Sequence, residues 1–472
     1  MAFLRSALLS VLCWLAFAGT AHAQQPPEPL SHEALLSTVE RTFPLLKAAE
    51  LEEIIAGADL LSAEGGFDVS WKTRAVLTPI GYYDNYRVES TLEKPTALWG
   101  ATGFVGYRLG TGKFPVYYGN QETLDYGELR AGVSVPLWRN GPIDRRRSSL
   151  EKADLGRGVA KLGIAQQRIE YRRTASIRYW AWVAAGRRLA VAESLLAIAE
   201  GRDDGLAERV ARGDLPNIER VDNLRALEQR RAQLAIARRG LEQASLELSL
   251  YLRDPKGVRQ VPDRTRLPKD FPEIAGDAPT GLPEDFVAAR ANRPEVQRLD
   301  LLTKQNEVEL RYARNQMALG LDLQLAGSQD FGPQNPRRPD LTKPVFEVSL
   351  LLDVPLQTRA MQGRADASAA GIRRLSLQKT FFTDRIDTDV RDAHSALRAA
   401  KDRLDATRRE VTLAKDLEES ERLRFQQGDS HLLIVNIREQ QTAEAQLREV
   451  DAVLDWYRAQ AELRAARGDT GR

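Results

Sequence analysis

Leu129-Arg-Ala-Gly-Val-Ser-Val-Pro-Leu137 and Val348-Ser-Leu-Leu-Leu-Asp-Val-Pro-Leu356 share one pattern at a separation of 219 positions. In both, apolar and polar residues alternate, the run ends in Val-Pro-Leu, and a long helical pattern follows at once. Alternation at period two is the signature of a strand with two unlike faces. The helical pattern from about Pro142 to Arg212 carries Leu155, Val159, Leu162, Ile169, Ile177 and Trp180 on one stripe, and the second half repeats it from about Arg364 to Gln427. At 1.5 Å per residue a helix of ~70 residues reaches ~100 Å, far beyond the ~30 Å of a small domain. A strand feeding such a helix, twice, excludes most compact architectures.

The repetition extends further. Arg212-Gly213-Asp214 matches Gln427-Gly428-Asp429, each followed by a return helix, Asn217 to Arg253 and Leu432 to Ala466. Upstream, the helix with Phe43-Pro44 matches that with Arg293-Pro294, at a separation of 250. The two separations differ by 31, so the first half holds an insertion of that length between its strands. Two repeats are expected, 24–253 and 284–467, joined by a connector over 254–283 that holds six prolines. A short tail, 468–472, closes the chain.

Four strands are expected, two per repeat, the second pair at about 319–356. Phe67, Val69, Trp71, Ala75 and Leu77 alternate with Asp68, Ser70, Lys72 and Arg74; Leu319, Leu321, Leu323 and Leu325 alternate with Gly320, Asp322 and Gln324. Leu129, Ala131, Val133 and Val135, and likewise Phe346, Val348, Leu350 and Leu352, form further apolar faces. Alternation over ~10 residues fits a membrane strand between lipid and a wet lumen. A soluble sheet edge alternates too. Four strands cannot close a barrel, and an open edge is not tolerated in lipid. Three copies would give twelve strands. The insertion, about 80–126, is rich in Gly and aromatics, among them Tyr82, Tyr83, Tyr86, Trp99 and Tyr107, and reads as a long extracellular hairpin, with an extended β pattern along Trp99, Ala101, Gly103, Val105, Tyr107 and Leu109.

Residues 1–23 read as a secretory signal peptide: Arg5, an apolar run, then Ala21-His22-Ala23. The only cysteine, Cys13, lies inside it, so no thiol or disulfide chemistry is expected of the secreted chain. Lys+Arg (68) nearly balances Asp+Glu (66), which argues against nucleic acid as a partner. The clusters Arg145-Arg146-Arg147 and Arg172-Arg173 read as solvated helix faces. His32, His394 and His431 are scattered without metal-ligand spacing, and no phosphate loop or nucleophile elbow occurs. No cofactor, metal or catalytic residue is expected. His394, in mid-helix, reads as a coiled-coil surface residue.

In its paired strand–helix junctions, the turns at Gly213 and Gly428, and Arg293-Pro294-Glu295, the chain resembles the outer-membrane efflux family typified by TolC, over about Leu30 to Arg467. The resemblance implies a mixed fold: a transmembrane β-barrel, four strands per protomer and twelve in a homotrimer, continued by a long α-helical coiled-coil barrel in the periplasm. It implies a periplasmic adaptor (membrane fusion) protein, an inner-membrane pump and outer-membrane lipid as partners. It places Gly213, Asp214, Gly428 and Asp429 at the periplasmic tip, where the adaptor docks. Glu219 and Asp222 would line the aperture, with Ile434 and Ile437 at the equivalent steps of the second repeat. The bland alternative makes Glu219 and Asp222 ordinary exposed residues of a first helical turn, favoured by the dipole. A soluble periplasmic coiled-coil scaffold or adaptor stays open as the second functional reading. The scarcity of His and Met weighs slightly against a dedicated soft-metal exporter.

Overall fold

The computed structural model describes residues 28–115, 117, 121–274, 281–334 and 339–470, so the expected signal peptide lies outside the described residues. The described residues open with α1 (His32–Thr42) and α2 (Pro44–Glu64), followed by β1 (Ser70–Thr78), β2 (Asn85–Pro95), β3 (Thr102–Gly112) and β4 (Glu128–Pro136). Two helices come next, α3 (Arg145–Ala211) and α4 (Asn217–Leu248). The second half runs α5 (Leu282–Asn292), α6 (Pro294–Gln316), β5 (Gly320–Asp330), β6 (Val345–Asp353), α7 (Arg359–Gln427) and α8 (Leu432–Ala466).

The helix expected through Phe43-Pro44 is in fact two, as is that through Arg293-Pro294. Phe43 and Arg293 take nearly the same extended conformation, φ −70°, ψ 119° and φ −69°, ψ 118°. A residue before proline is pushed out of the helical region, and the proline then starts the next helix.

The chain divides into two compact units. One, built from 44–171, 280–394 and 463–472, holds the sheet. Its six strands lie in the order β1-β2-β3-β4-β5-β6, all antiparallel. The expectation of four strands and an extracellular hairpin is therefore corrected. The insertion supplies β2 and β3, which pair with β1 and β4 along their length.

Register keeps the faces of the six strands continuous. Leu77 opposes Tyr86, Val88 opposes Leu109, Leu92 opposes Val105, Val105 opposes Ala131, Val133 opposes Leu325, and Leu323 opposes Leu350. All of these share one face, which is apolar and bare: Trp71 is 75% exposed, Phe346 73% and Leu350 66%. The other face carries charge, and much of it is paired. Lys72 meets Glu93, Arg108 meets Glu128 at 2.5 Å, and Arg130 meets Glu89 at 3.7 Å. On this face Phe104 lies over Gly132, where an added Cβ would stand 2.6 Å from the ring and 2.4 Å from the Leu325 carbonyl oxygen. Only glycine admits that approach.

The sheet-bearing unit also buries His394, on α7. Its Nε2 lies 2.7 Å from Asp285 Oδ2, and Arg467 Nε lies 2.9 Å from Asp285 Oδ1. His394 is 3% exposed, so the surface placement expected for it is corrected. A carboxylate on α5 recruits it inward, because a buried charge requires hydrogen-bonding partners.

The second unit, whose described residues are 28–43, 172–274 and 395–462, is helical and is held by aromatic packing. Trp180 stacks on Tyr457 at 3.7 Å between ring centroids, and buried Trp182 donates from Nε1 to Ser245 Oγ at 3.0 Å. The proline-rich segment is tied into this unit: Tyr457 Oη donates to the Pro272 carbonyl at 3.0 Å, and Leu30 N to the Arg266 carbonyl at 2.9 Å. Burial pushes the Tyr457 phenol up to about 12. Among the described residues, no helix is long and apolar enough to cross a membrane.

His394→Ala leaves Asp285 with Arg467 alone. It is expected to cost about 1–3 kcal/mol, read as a lowered thermal midpoint of the purified protein. An unchanged midpoint would show that water replaces the imidazole without loss.

Candidate functional site at the helical turns

The turns after α3 and α7 close in the same way. Gly213 N donates to Val210 O at 3.1 Å and Asp214 N to Arg209 O at 2.9 Å; Gly428 N donates to Phe425 O at 3.2 Å and Asp429 N to Arg424 O at 2.9 Å. Both glycines sit in the left-handed region, φ 83° and 86°. This is the glycine stop that satisfies the last carbonyls of a helix, and it reverses the chain within a few residues. Under the turns, Leu206, Leu432 and Val435 form a small core with Leu215 and Phe425 against it.

Glu219 and Asp222, on the first turns of α4, both reach α8. Glu219 Oε2 accepts from the backbone N–H of Leu432 at 3.0 Å, and its Oε1 lies 3.6 Å from His431 Nδ1. A carboxylate there satisfies an orphan donor at a helix start and meets the positive end of the dipole. Asp222 Oδ2 accepts from Asn436 Nδ2 at 3.2 Å, and Oδ1 from Arg225 Nε at 3.3 Å. The reading of both as plain exposed first-turn residues is thus corrected, since their side chains are 14% and 20% exposed. Ile434 and Ile437 are 37% and 42% exposed. The side chain of His431 is 84% exposed.

Further along these helices stands a cluster that the sequence did not single out. Glu439, on α8, is 1% exposed and meets three arginines from three other helices. Arg230 of α4 donates to Glu439 Oε2 at 2.8 Å, Arg202 of α3 pairs with Oε1, and Arg422 of α7 lies 3.8 Å away. Arg230 also donates to the Leu195 carbonyl at 2.8 Å, and Arg202 to Asn436 Oδ1 at 2.9 Å. Burial drives the Arg202 guanidinium below its ordinary range, and the pull of Glu439 offsets this only in part. One carboxylate thereby joins all four helices, and its removal would strand buried cations. Among the described residues, no group of three or more His, Cys, Asp or Glu is placed to hold a metal ion.

Glu439→Ala is expected to destabilise the helical unit by about 3–5 kcal/mol, read as a lower thermal midpoint in far-UV circular dichroism. Adding Arg230→Met should recover part of the loss by removing one uncompensated charge. If the double variant melts below the single one, Arg230 contributes through packing and not through its charge.

No family model matches the sequence, and no curated protein matches it. Solved structures do match the fold. The open-state MtrE outer-membrane channel of Neisseria gonorrhoeae is 18% identical with a TM-score of 0.64, over 93% of this chain and 88% of that one. The CmeC outer-membrane channel of Campylobacter jejuni is 12% identical with a TM-score of 0.64, over 95% and 90%. The outer-membrane protein VceC of Vibrio cholerae is 14% identical with a TM-score of 0.65, over 93% and 96%. A likeness spanning nearly the whole of each chain leaves one conclusion about architecture: this protein has the fold of the TolC-like outer-membrane channels.

Proposed function

We propose that the chain is one protomer of a trimeric outer-membrane channel, which exports substrates from the periplasm or directly from an inner-membrane pump through a periplasmic adaptor. The sheet carries this reading. One face is apolar and bare while the other is charged and ion-paired, and only lipid on one side with water on the other satisfies both. The aromatic residues favour the same orientation. Trp71, Trp99 and Trp138 are exposed at the end of the sheet that leads to the helices, and Tyr82, Tyr83, Tyr86, Tyr126 and Phe346 are exposed at the other end. Aromatic belts at both rims are what a membrane-spanning sheet requires.

On this reading the repeats 24–253 and 284–467 each give the trimer a strand set and a helical hairpin, and the connector 254–283 joins them. The helical part lies in the periplasm. Gly213, Asp214, Gly428 and Asp429 form the tip that meets the adaptor, and Glu219, Asp222, Ile434 and Ile437 line its aperture. In the closed tip, Glu219 and Asp222 are engaged by the start of α8; opening frees both carboxylates toward the passage. The chain itself performs no chemistry. The soluble scaffold accounts for the helices but leaves a broad apolar sheet in water, against the usual limit on such patches.

Light scattering on detergent-extracted protein should give a trimer; a monomer or dimer stable without detergent would favour the scaffold. In planar bilayers, Glu219→Ala with Asp222→Ala should raise the open fraction and reduce cation preference. Unchanged selectivity would remove these residues from the aperture.

A further inference from the structure

We infer that the membrane wall of the assembled channel is built from eighteen strands, six per protomer, with β2 and β3 as lipid-facing staves and β6 of one copy sealed to β1 of the next. This rests on the trimeric channel reading above and goes beyond it, since the pattern read from the sequence provides only four strands per copy.

β2 and β3 are each 11 residues, as is β5, and the other three strands are 9. All six match the ~9–11 residues of a tilted membrane strand. A hairpin projecting above the membrane would have no reason to keep the register of its neighbours. Here β2 is paired to β1 from Asn85 through Glu93, and β3 to β4 from Thr102 through Arg108. The hairpin also keeps the two faces apart. Tyr86, Val88 and Leu92, then Val105, Tyr107 and Leu109, continue the apolar surface of β1 and β4. Glu89, Glu93 and Arg108 form ion pairs on the opposite one with Arg130, Lys72 and Glu128.

The edges say what closes the sheet. β1 and β6 each pair on one side alone, and an unpaired edge is not sustained in hydrocarbon. The occupant of each edge is a second copy of this chain, and the edge charges are complementary. The charged face of β1 offers Arg74 and that of β6 offers Glu347, both exposed, while Lys72 and Asp353 on the same faces already meet Glu93 and Arg139. Strands ~4.8 Å apart and tilted by ~40° close at a backbone diameter of about 24 Å for twelve and about 36 Å for eighteen. The inserted hairpin therefore widens the lumen by about half. It sets the size of cargo the membrane section admits.

The test uses single cysteines on β2, labelled with a nitroxide in the lipid-reconstituted trimer: Val88→Cys and Leu92→Cys against Glu89→Cys and Thr91→Cys. Alternation is the expected result, with oxygen (lipid-partitioned) reaching the first pair at least several-fold more than a water-soluble nickel chelate does, and the reverse for the second. Electron cryo-microscopy of the unmodified protein, which needs no variant to fold, should resolve eighteen strands. Equal chelate access at all four positions, or a twelve-stranded wall in a trimer, would overturn the inference and leave the channel reading intact. A protein that neither partitions into lipid nor forms a trimer would overturn both.

Discussion

A β-strand edge in hydrocarbon has no water to satisfy its N–H and C=O groups, and much of this architecture follows from that constraint. On the channel reading the sheet cannot end in the membrane, so β1 and β6 require partners that this copy cannot provide from within. On that reading self-association is a condition of membrane residence and not an ornament of it. The same constraint explains why the inserted hairpin obeys the register of its neighbours: a strand that entered the wall out of register would break the backbone pairing on both sides and turn its charges toward lipid. Gly132 shows how close the tolerances run, since one methyl group there would collide with the Phe104 ring and a neighbouring carbonyl.

The helical unit meets a different problem with a different device. Long helices with alanine-rich faces associate readily in more than one register, and apolar packing alone discriminates weakly among them. Buried polar groups fix the choice. Glu439 holds arginines from three other helices, Trp182 donates to Ser245, and Glu219 closes the start of α8. Each of these demands one alignment, because any slip leaves a buried group without its partner.

How much of this could be read beforehand depends on what each residue contributes to a local pattern. β1, β4, β5 and β6 were legible since large apolar residues alternate with small or charged ones, as in Leu321, Leu323 and Leu325. The turns were legible through Gly-Asp after a long helical run. β2 was not, and β3 showed only as an extended pattern inside an expected hairpin. β2 carries Glu89, Ser90, Thr91, Glu93 and Lys94 in near succession, which reads as a polar loop, and β3 places Phe104 on its charged face while four glycines punctuate the rest. Their strand character comes from neighbours in the sheet, which no local window contains. His394 and Glu439 were missed for a related reason. Each is a polar residue in mid-helix whose partners are remote in sequence, so only tertiary structure distinguishes it from a solvated one.

The cross-strand ion pairs on the sheet carry a further consequence. Lys72 and Arg108 are each matched by a carboxylate on an adjoining strand, Arg130 by Glu89 two strands away, and Arg139 by Asp353. Charges that neutralise one another within a few ångströms leave little field a Debye length away. If the proposed channel forms, a wall of this kind would be electrically quiet toward what passes along it: it would sieve by girth, and any sorting by charge would have to happen elsewhere along the route.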